Sequence, residues 1–170
     1  MAGDFIIAVE MQGLDELRKK LKSETAAVPA RRFLTRSANI MVDKATRKAP
    51  ENVGTLKRSI GYEVSTETPV PTWVKVGTNV EYARFVEFGR KPGKQPPYRN
   101  IEYWYRRKNK IGPDDDVENA VNMIRRAIGR RGVEAQPFLV PAFEESLPNI
   151  QKYVYRLATE IEEAYRRGSQ

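Results

Sequence analysis

The chain has 170 residues, with 30 Lys and Arg against 22 Asp and Glu, a formal net charge of +8, and neither Cys nor His. An apolar share of 40% and a charged share of 31% at this length describe one surface-rich globular domain, with or without an appendage. The missing Cys and His remove thiol nucleophiles, disulfides, thiolate metal sites and the usual general base near neutral pH, which excludes most hydrolases and metalloenzymes.

The N-terminal half predicts a strand followed by helices. Residues 4–11 alternate apolar side chains with period two and β-branched members, which is typical of a strand. Leu14, Leu17 and Leu21 then recur at helical spacing. Pro29 either kinks this helix or opens a second one. A second apolar series predicts the longest helix of this half, from Pro29 to Lys48, with cations in its last turn and Pro50 after it.

The next segment predicts a turn, two strands and a short helix. Residues 54–56 form the turn, and the alternating residues 59–65 and 73–76 flank a loop with two prolines. A strand, a proline-bearing loop and a second strand are most simply an antiparallel hairpin. Residues 81–88 predict a short helix, and the Gly-, Pro- and Lys-rich residues 89–97 predict a loop.

Residues 98–135 predict a helical hairpin inserted into the core. Its second helix is expected to start at Asp114, after Gly112-Pro113, and to end near Gly132. Residues 136–139 then return to the core. The last amphipathic helix is predicted from Pro148 to Arg167.

These elements together predict an α+β fold. A small antiparallel or mixed sheet packs against the long helix of the N-terminal half and against the C-terminal helix. The predicted core domain comprises residues 1–97 and 136–170, and residues 98–135 form the inserted helical hairpin.

The acidic clusters of the sequence do not predict a catalytic or metal site. Asp114-Asp115-Asp116 is explained better by helix capping and by the helix dipole than by a bound cation. The pairs Glu144-Glu145 and Glu162-Glu163 do not converge, because adjacent helical side chains point roughly 100° apart. The sequence also has no Gly-rich phosphate loop or dinucleotide fingerprint. We therefore expect no catalytic residue, no cofactor and no bound metal.

The positive charge is concentrated in the predicted N-terminal helices. Residues 13–60 carry 12 basic and 5 acidic groups, whereas residues 132–170 have a net negative charge. Arg31, Arg32 and Arg36 are the candidates for an electrostatic partner surface. Such a surface attracts an acidic protein partner. It can also contact nucleic-acid phosphates without reading sequence, so a basic nucleic-acid-binding module that uses these helices is the alternative function.

One aromatic cluster is a candidate for an oligomer or partner interface. Aromatic density with few charges is typical of an interface core, and an ordinary domain core has the same composition. Within the cluster, the acid at position 87 lies between two apolar residues and is expected to meet an Arg or backbone amides, because an unpaired buried carboxylate is costly. The candidate interface residues are Tyr82, Phe85, Glu87, Phe88 and Gly89.

Several short runs of residues occur in an order and at spacings that are typical of one protein family. They are Ala49-Pro50, Gly54-Thr55-Leu56-Lys57-Arg58-Ser59-Ile60, Val76-Gly77-Thr78, Tyr82-Ala83-Arg84-Phe85-Val86-Glu87-Phe88-Gly89 and Gln136-Pro137-Phe138-Leu139-Val140-Pro141-Ala142-Phe143. In this order the chain resembles the gene-product-ten-like head–tail joining and tail-completion family of lambdoid tailed bacteriophages, akin to the minor tail protein Z of lambda. The family runs read approximately A-P-x-x-T-G-x-L-x-x-S-I, Y-A-x-x-V-E-F-G and P-F-L-x-P-A. The resemblance covers residues 30–90 and 136–165, and Gly54-Thr55 reverses the family's T-G.

The resemblance implies a non-enzymatic virion protein of the head–tail junction or tail, made in the host cytoplasm. It implies a role in tail completion, or as a neck or connector component, within a homo-oligomeric ring. The implied partners are other head–tail junction or tail proteins, with non-specific proximity to DNA. No membrane contact is expected, because the longest apolar run is far shorter than the ~20 residues of a membrane span and no signal-peptide pattern opens the chain.

Overall fold

The computed structural model describes residues 5–10, 23–50, 54–67 and 69–168. The predicted helix through Leu14, Leu17 and Leu21 lies outside these residues. In chain order the elements are β1 (Phe5–Glu10), α1 (Ser23–Lys48), α2 (Thr55–Ser59), β2 (Gly61–Val64), β3 (Trp73–Thr78), α3 (Ala83–Phe88), α4 (Tyr98–Asn109), α5 (Glu118–Arg131) and α6 (Leu139–Gly168). This arrangement confirms the predicted α+β class.

The three strands form one antiparallel sheet in the order β1-β3-β2. Val76 of β3 lies opposite Ile7 of β1 on one side and opposite Tyr62 of β2 on the other. Burial alternates along β3, with Val74 and Val76 fully buried, because successive side chains of a strand point to opposite faces of the sheet. The predicted β2–β3 hairpin is confirmed, and β3 continues to Thr78, two residues beyond its predicted end.

The core lies between the sheet and the long helices α1 and α6. Leu34 and Met41 of α1 are fully buried together with Phe138 and Leu139 at the start of α6. Burial of each such side chain stabilises the fold by roughly 1.5–3 kcal/mol. Ion pairs from Lys48 to Glu145 and from Arg32 to Glu160 show that α1 and α6 run antiparallel. The first turns of α6 therefore lie at the C-terminal end of α1.

Both long helices begin earlier than the sequence predicts. Helix α1 starts at Ser23 instead of Pro29, and α6 starts at Leu139 instead of Pro148. Both prolines lie inside their helices. A proline is well suited to a helix start because it lacks an N–H. Buried residues on the N-terminal side of each proline, Ala26 before Pro29 and Leu139 before Pro148, pack in the core and extend each helix beyond its proline.

Two shorter boundaries also differ from the prediction. The predicted turn at residues 54–56 is confined to Gly54, whose φ is 68°, and the chain is helical from Thr55. The second hairpin helix begins at Glu118 instead of Asp114. The Oδ1 atom of Asp116 accepts a hydrogen bond from the Glu118 N–H at 3.0 Å. Asp116 therefore precedes the helix and binds an N–H at its start.

Helices α4 and α5 pack against each other as a helical hairpin. Its buried residues include Val117 and Val121, which are not members of the main core cluster. At the base of the hairpin, Arg90 and Val133 exchange two backbone hydrogen bonds of 2.8 Å. The division of the chain into a core and an insert stays a prediction, and this separate packing supports it.

Candidate functional site

The Glu87 carboxylate joins helix α3 to the start of helix α6. The side chain is buried, with 2% of its surface exposed. Its Oε2 atom accepts hydrogen bonds from the backbone N–H groups of Phe138 at 2.8 Å and Leu139 at 2.9 Å, and Oε1 accepts one from Val140 at 2.9 Å. The first N–H groups of a helix have no partner within the helix and carry partial positive charge. Glu87 therefore caps α6 from a distant part of the sequence, as the backbone-amide alternative predicted.

Gly89 allows the chain to pass close to the segment that leads into α6. Its φ of 71° and ψ of −172° lie in a region that is essentially restricted to glycine. A Cβ atom at this position would lie 2.8 Å from the carbonyl oxygen of Val133 and 2.9 Å from the nitrogen of Ala135. The Gln136 N–H donates a 2.7 Å hydrogen bond to the Val86 carbonyl.

These contacts bring together two sequence runs that lie about fifty residues apart in the chain, Tyr82–Gly89 and Gln136–Phe143. We term the contact between residues 86–89 and residues 133–140 the α3–α6 joint. The joint gives a structural reason for the Glu and the terminal Gly of the first run. Both residues serve the packing of the fold.

The aromatic residues of the first run differ in exposure. Tyr82 is 44% exposed and Phe88 is 66% exposed, whereas Phe85 is half-buried. The guanidinium groups of Arg84 and Arg90 lie over the Phe85 ring, 4.7 and 5.7 Å from its centroid. Partial burial raises the pKa of the Tyr82 phenol, and a hydrogen bond with the Leu56 backbone opposes this rise. The candidate interface residues therefore divide into a buried joint and an exposed aromatic surface.

The three candidate cations Arg31, Arg32 and Arg36 lie on one exposed face of α1 and line an open groove of about 710 Å³. The Arg36 guanidinium lies over the Tyr153 ring, 5.0 Å from its centroid. Arg32 Nη1 lies 3.4 Å from a carboxylate oxygen of Glu160. The groove runs along α1 from Ala27 to Asp43, and its three arginines lie toward the N-terminal end of that stretch. The joint lies beside the C-terminal end of α1. The two sets of candidate residues therefore form separate surfaces.

The acidic clusters have structural partners. Glu145 pairs with Lys48 at 2.6 Å, and this hydrogen bond holds the pKa of the Glu145 carboxyl below its ordinary value. Glu162 and Glu163 form ion pairs with cations four residues later on α6. Within the described ranges, no three carboxylates are grouped so that they could hold a metal ion. A search of the same residues for a helix with the length and apolar character of a membrane span gave none.

Sequence reasoning missed two features that shape the hairpin. Gly132 has a φ of 76° and a ψ of −159°, and a Cβ atom there would lie 2.0 Å from the Arg90 carbonyl oxygen. Arg106 donates hydrogen bonds to the backbone oxygens of Gly112 and Asp115 and also binds Glu102. The glycine after a basic helix end is a signal that could have marked the first feature. No local pattern marks the second, because its partners lie in the interhelical loop.

One family model matches part of the chain. The model of the family described as "Bacteriophage HK97-gp10, putative tail-component" matches residues 14–89. This match confirms the resemblance to the phage family over that segment. The matched segment ends at Gly89, the last residue of the run Tyr82–Gly89, and does not include the hairpin or α6. No curated protein and no solved structure matches the chain.

Proposed function

We propose that the protein is a non-enzymatic structural component of a bacteriophage virion that acts at the head–tail junction. It completes the head-proximal end of the tail, or forms part of the neck or connector, as a ring of identical subunits. The observation that carries this proposal is the family match over residues 14–89, which includes most of the core sheet, helix α1 and the Glu87 side of the joint.

The structure supports this role through the position of its exposed surfaces. The aromatic surface of Tyr82 and Phe88 lies beside the joint, and the arginines of the groove lie farther along α1, away from the joint. A ring built from head-to-tail contacts requires two different patches on each subunit. A rigid pair of antiparallel helices between two patches holds them at a constant spacing and orientation.

The location in the virion is tested in a phage that carries this gene. With the gene disrupted, we expect heads and tails that fail to join, or tails with an unfinished head-proximal end, in electron micrographs. Restored protein with an affinity label is expected at the junction. Normal infectious particles without the protein, or a label found elsewhere on the virion, would contradict the proposal.

The aromatic surface is tested separately with Phe88→Asp. Because Phe88 is largely exposed, this change should leave the unfolding transition close to that of the wild type while it reduces incorporation into particles. Glu81→Gln, at a neighbouring exposed position, is the control. Incorporation of the Phe88 variant at the wild-type level would show that Tyr82 and Phe88 lie outside the contact.

A nucleic-acid-binding module is the second candidate function, because Arg31, Arg32 and Arg36 line one groove. Phosphate binding would weaken steeply with salt, with a slope of about −0.9 in log K per neutralised phosphate on duplex DNA. Low-salt binding of random duplex DNA that is lost after reversal of all three arginines to Glu would favour this function. Absence of binding at low salt would eliminate it.

A further inference from the structure

The groove on α1 combines an apolar floor with positive charge. Its apolar lining comes from residues such as Val28, which is 63% exposed, Ile40 and Pro69. Three guanidinium groups and one carboxylate, that of Asp43, line the same groove. Arg32 shares its charge with Glu160. Arg31 and Arg36 are therefore the main cations that this groove offers to an acidic ligand.

The segment that leads from the α4–α5 loop into the first residue of α5 carries the opposite charge. Residues 112–118, which we term the arm tip, contain four carboxylates and no cation. Every residue of the arm tip except Val117 is exposed. Pro113 adds an exposed apolar group beside the acids.

Hydrogen bonds within the subunit constrain the arm tip. Arg106 donates hydrogen bonds to the carbonyl oxygens of Gly112 and Asp115, the latter at 3.0 Å. The Asp115 carboxylate accepts the Gly112 N–H, and that of Asp116 accepts the Glu118 N–H, each at 3.0 Å. A loop that is already ordered loses little conformational entropy when it docks.

The arm tip and the groove belong to different regions of one subunit. None of the described groove-lining residues comes from residues 98–135. The hairpin base is tied to the joint through Arg90 and Val133. The joint lies beside the C-terminal end of α1, near Lys48. Arg36 lies roughly 18 Å from Lys48 along the helix axis, so the groove arginines are well separated from the hairpin base.

We propose that the arm tip of one subunit docks into the α1 groove of a second copy of the chain. This inference rests on the proposed ring, for which it supplies the contact between neighbours. Carboxylates of the arm tip pair with Arg31 and Arg36, since guanidinium groups bind carboxylates with matched planar geometry. Pro113 lies on the apolar floor. Because the two patches differ, the contact is head-to-tail and repeats around a closed ring.

Charge reversal tests this contact by sedimentation velocity at low salt. One variant carries Arg31→Glu and Arg36→Glu, and the other carries Asp114→Lys and Glu118→Lys, with Asp115 and Asp116 unchanged because they bind backbone N–H groups. The groove variant places like charges across the contact, and the arm-tip variant removes the net negative charge that the groove arginines would bind. Each variant alone should self-associate about tenfold more weakly than the wild type. In an equimolar mixture, each contact between unlike variants pairs arginines with carboxylates or the new lysines with the new glutamates. The mixture should therefore recover most of the wild-type association. Circular dichroism confirms that each variant is folded.

The control variant carries Lys91→Glu and Lys94→Glu, which make the same charge change at exposed positions outside the groove and the arm tip. It should self-associate like the wild type. A mixture of the two reversed variants that associates no better than either alone would overturn the proposal. So would a groove-reversed variant that associates as tightly as the control, or a wild-type chain that stays monomeric at every concentration.

Disulfide trapping provides the geometric test, because the chain has no cysteine. Thr35→Cys marks the groove and Asp114→Cys marks the arm tip. Oxidation of the mixed single variants should give a dimer that contains one copy of each, whereas a Lys91→Cys partner should give none. Absence of the mixed dimer, while the wild type still enters virions, overturns this contact and leaves the proposed function standing. A mixed dimer with a protein that is absent from virions would instead contradict the proposed function.

Discussion

Replacement of Glu87 by Ala removes the acceptor of three backbone N–H groups at the start of α6. The site is buried, so water cannot readily replace the carboxylate. Removal of one partner of a buried charged interaction costs about 3–5 kcal/mol. This range agrees with about 1–3 kcal/mol for each buried polar group left without a partner, less what local relaxation recovers. We therefore expect Glu87→Ala to lower the free energy of unfolding by about 3–5 kcal/mol.

Glu87→Gln separates charge and acceptor number from side-chain volume. The amide oxygen of Gln can replace Oε2 and keep the bonds from Phe138 and Leu139, but its NH₂ group then faces the Val140 N–H. Two of the three bonds remain, so the expected cost is about 1–2 kcal/mol. In a chain of this length, each kcal/mol lowers the melting temperature by about 2–4 °C.

Urea unfolding followed by far-UV circular dichroism measures both variants against the wild type. Glu63→Gln, which changes an exposed acid on β2, is the matched control and should alter the midpoint little. The expected order of stability is wild type, then Gln, then Ala. A Glu87→Ala protein within about 1 kcal/mol of the wild type would refute the reasoning. An equal loss for Gln and Ala would show that the acceptor bonds to Phe138 and Leu139 contribute little.

Three further predictions concern the base of the hairpin, the hairpin itself and the α1–α6 ion pair. Gly132→Ala should lower the melting temperature by several degrees, because its Cβ would meet the Arg90 carbonyl and its backbone lies in the glycine-only region. Gly61→Ala, with open space around its Cβ, is the control and should lower the melting temperature far less. Equal melting temperatures for the two variants would contradict this account. Deletion of residues 98–132 with a short Gly/Ser bridge should leave a cooperative thermal transition, because the buried hairpin valines lie outside the main core cluster. A shortened chain without any thermal transition would show that the hairpin is part of the core. Because the pKa of the Glu145 carboxyl is lowered, its bond to Lys48 stabilises the fold above the ordinary pKa of 4.5, and this contribution is lost as the pH falls through the lowered pKa. Lys48→Met should therefore make the free energy of unfolding, measured by urea titration at several pH values, fall less steeply at acid pH. An unchanged pH profile would assign the acid dependence to other groups.

The local patterns of the sequence determined most of the secondary structure. Period-two alternation located β1, β2 and β3, and the separation of the last two by a proline-bearing loop was enough to predict their antiparallel pairing. Helical spacing of apolar residues located α1, α4, α5 and α6. These predictions succeed because each pattern reflects which side chains of one element face the core, a property of neighbouring residues.

Element boundaries depended on contacts between distant residues. Pro29 and Pro148 suggest helix starts when only neighbouring residues are considered, yet both lie inside helices whose earlier turns are buried in the core. Asp116 was expected inside a helix and instead precedes it. Local propensity is a weak preference of a few tenths to about one kcal/mol per ordinary residue, and tertiary packing readily exceeds it.

The functional surfaces show the same division. The composition was sufficient to exclude most metal and thiol chemistry, and residue identity alone marked Glu87 and the three arginines as candidates. Only the tertiary structure decided that Glu87 caps α6, that Phe88 is exposed and that Arg31, Arg32 and Arg36 share one groove. The physical reason is that a buried carboxylate is stabilised by particular N–H groups, and a groove is formed by several elements. Such partners lie tens of residues away in the chain, where no sequence period connects them.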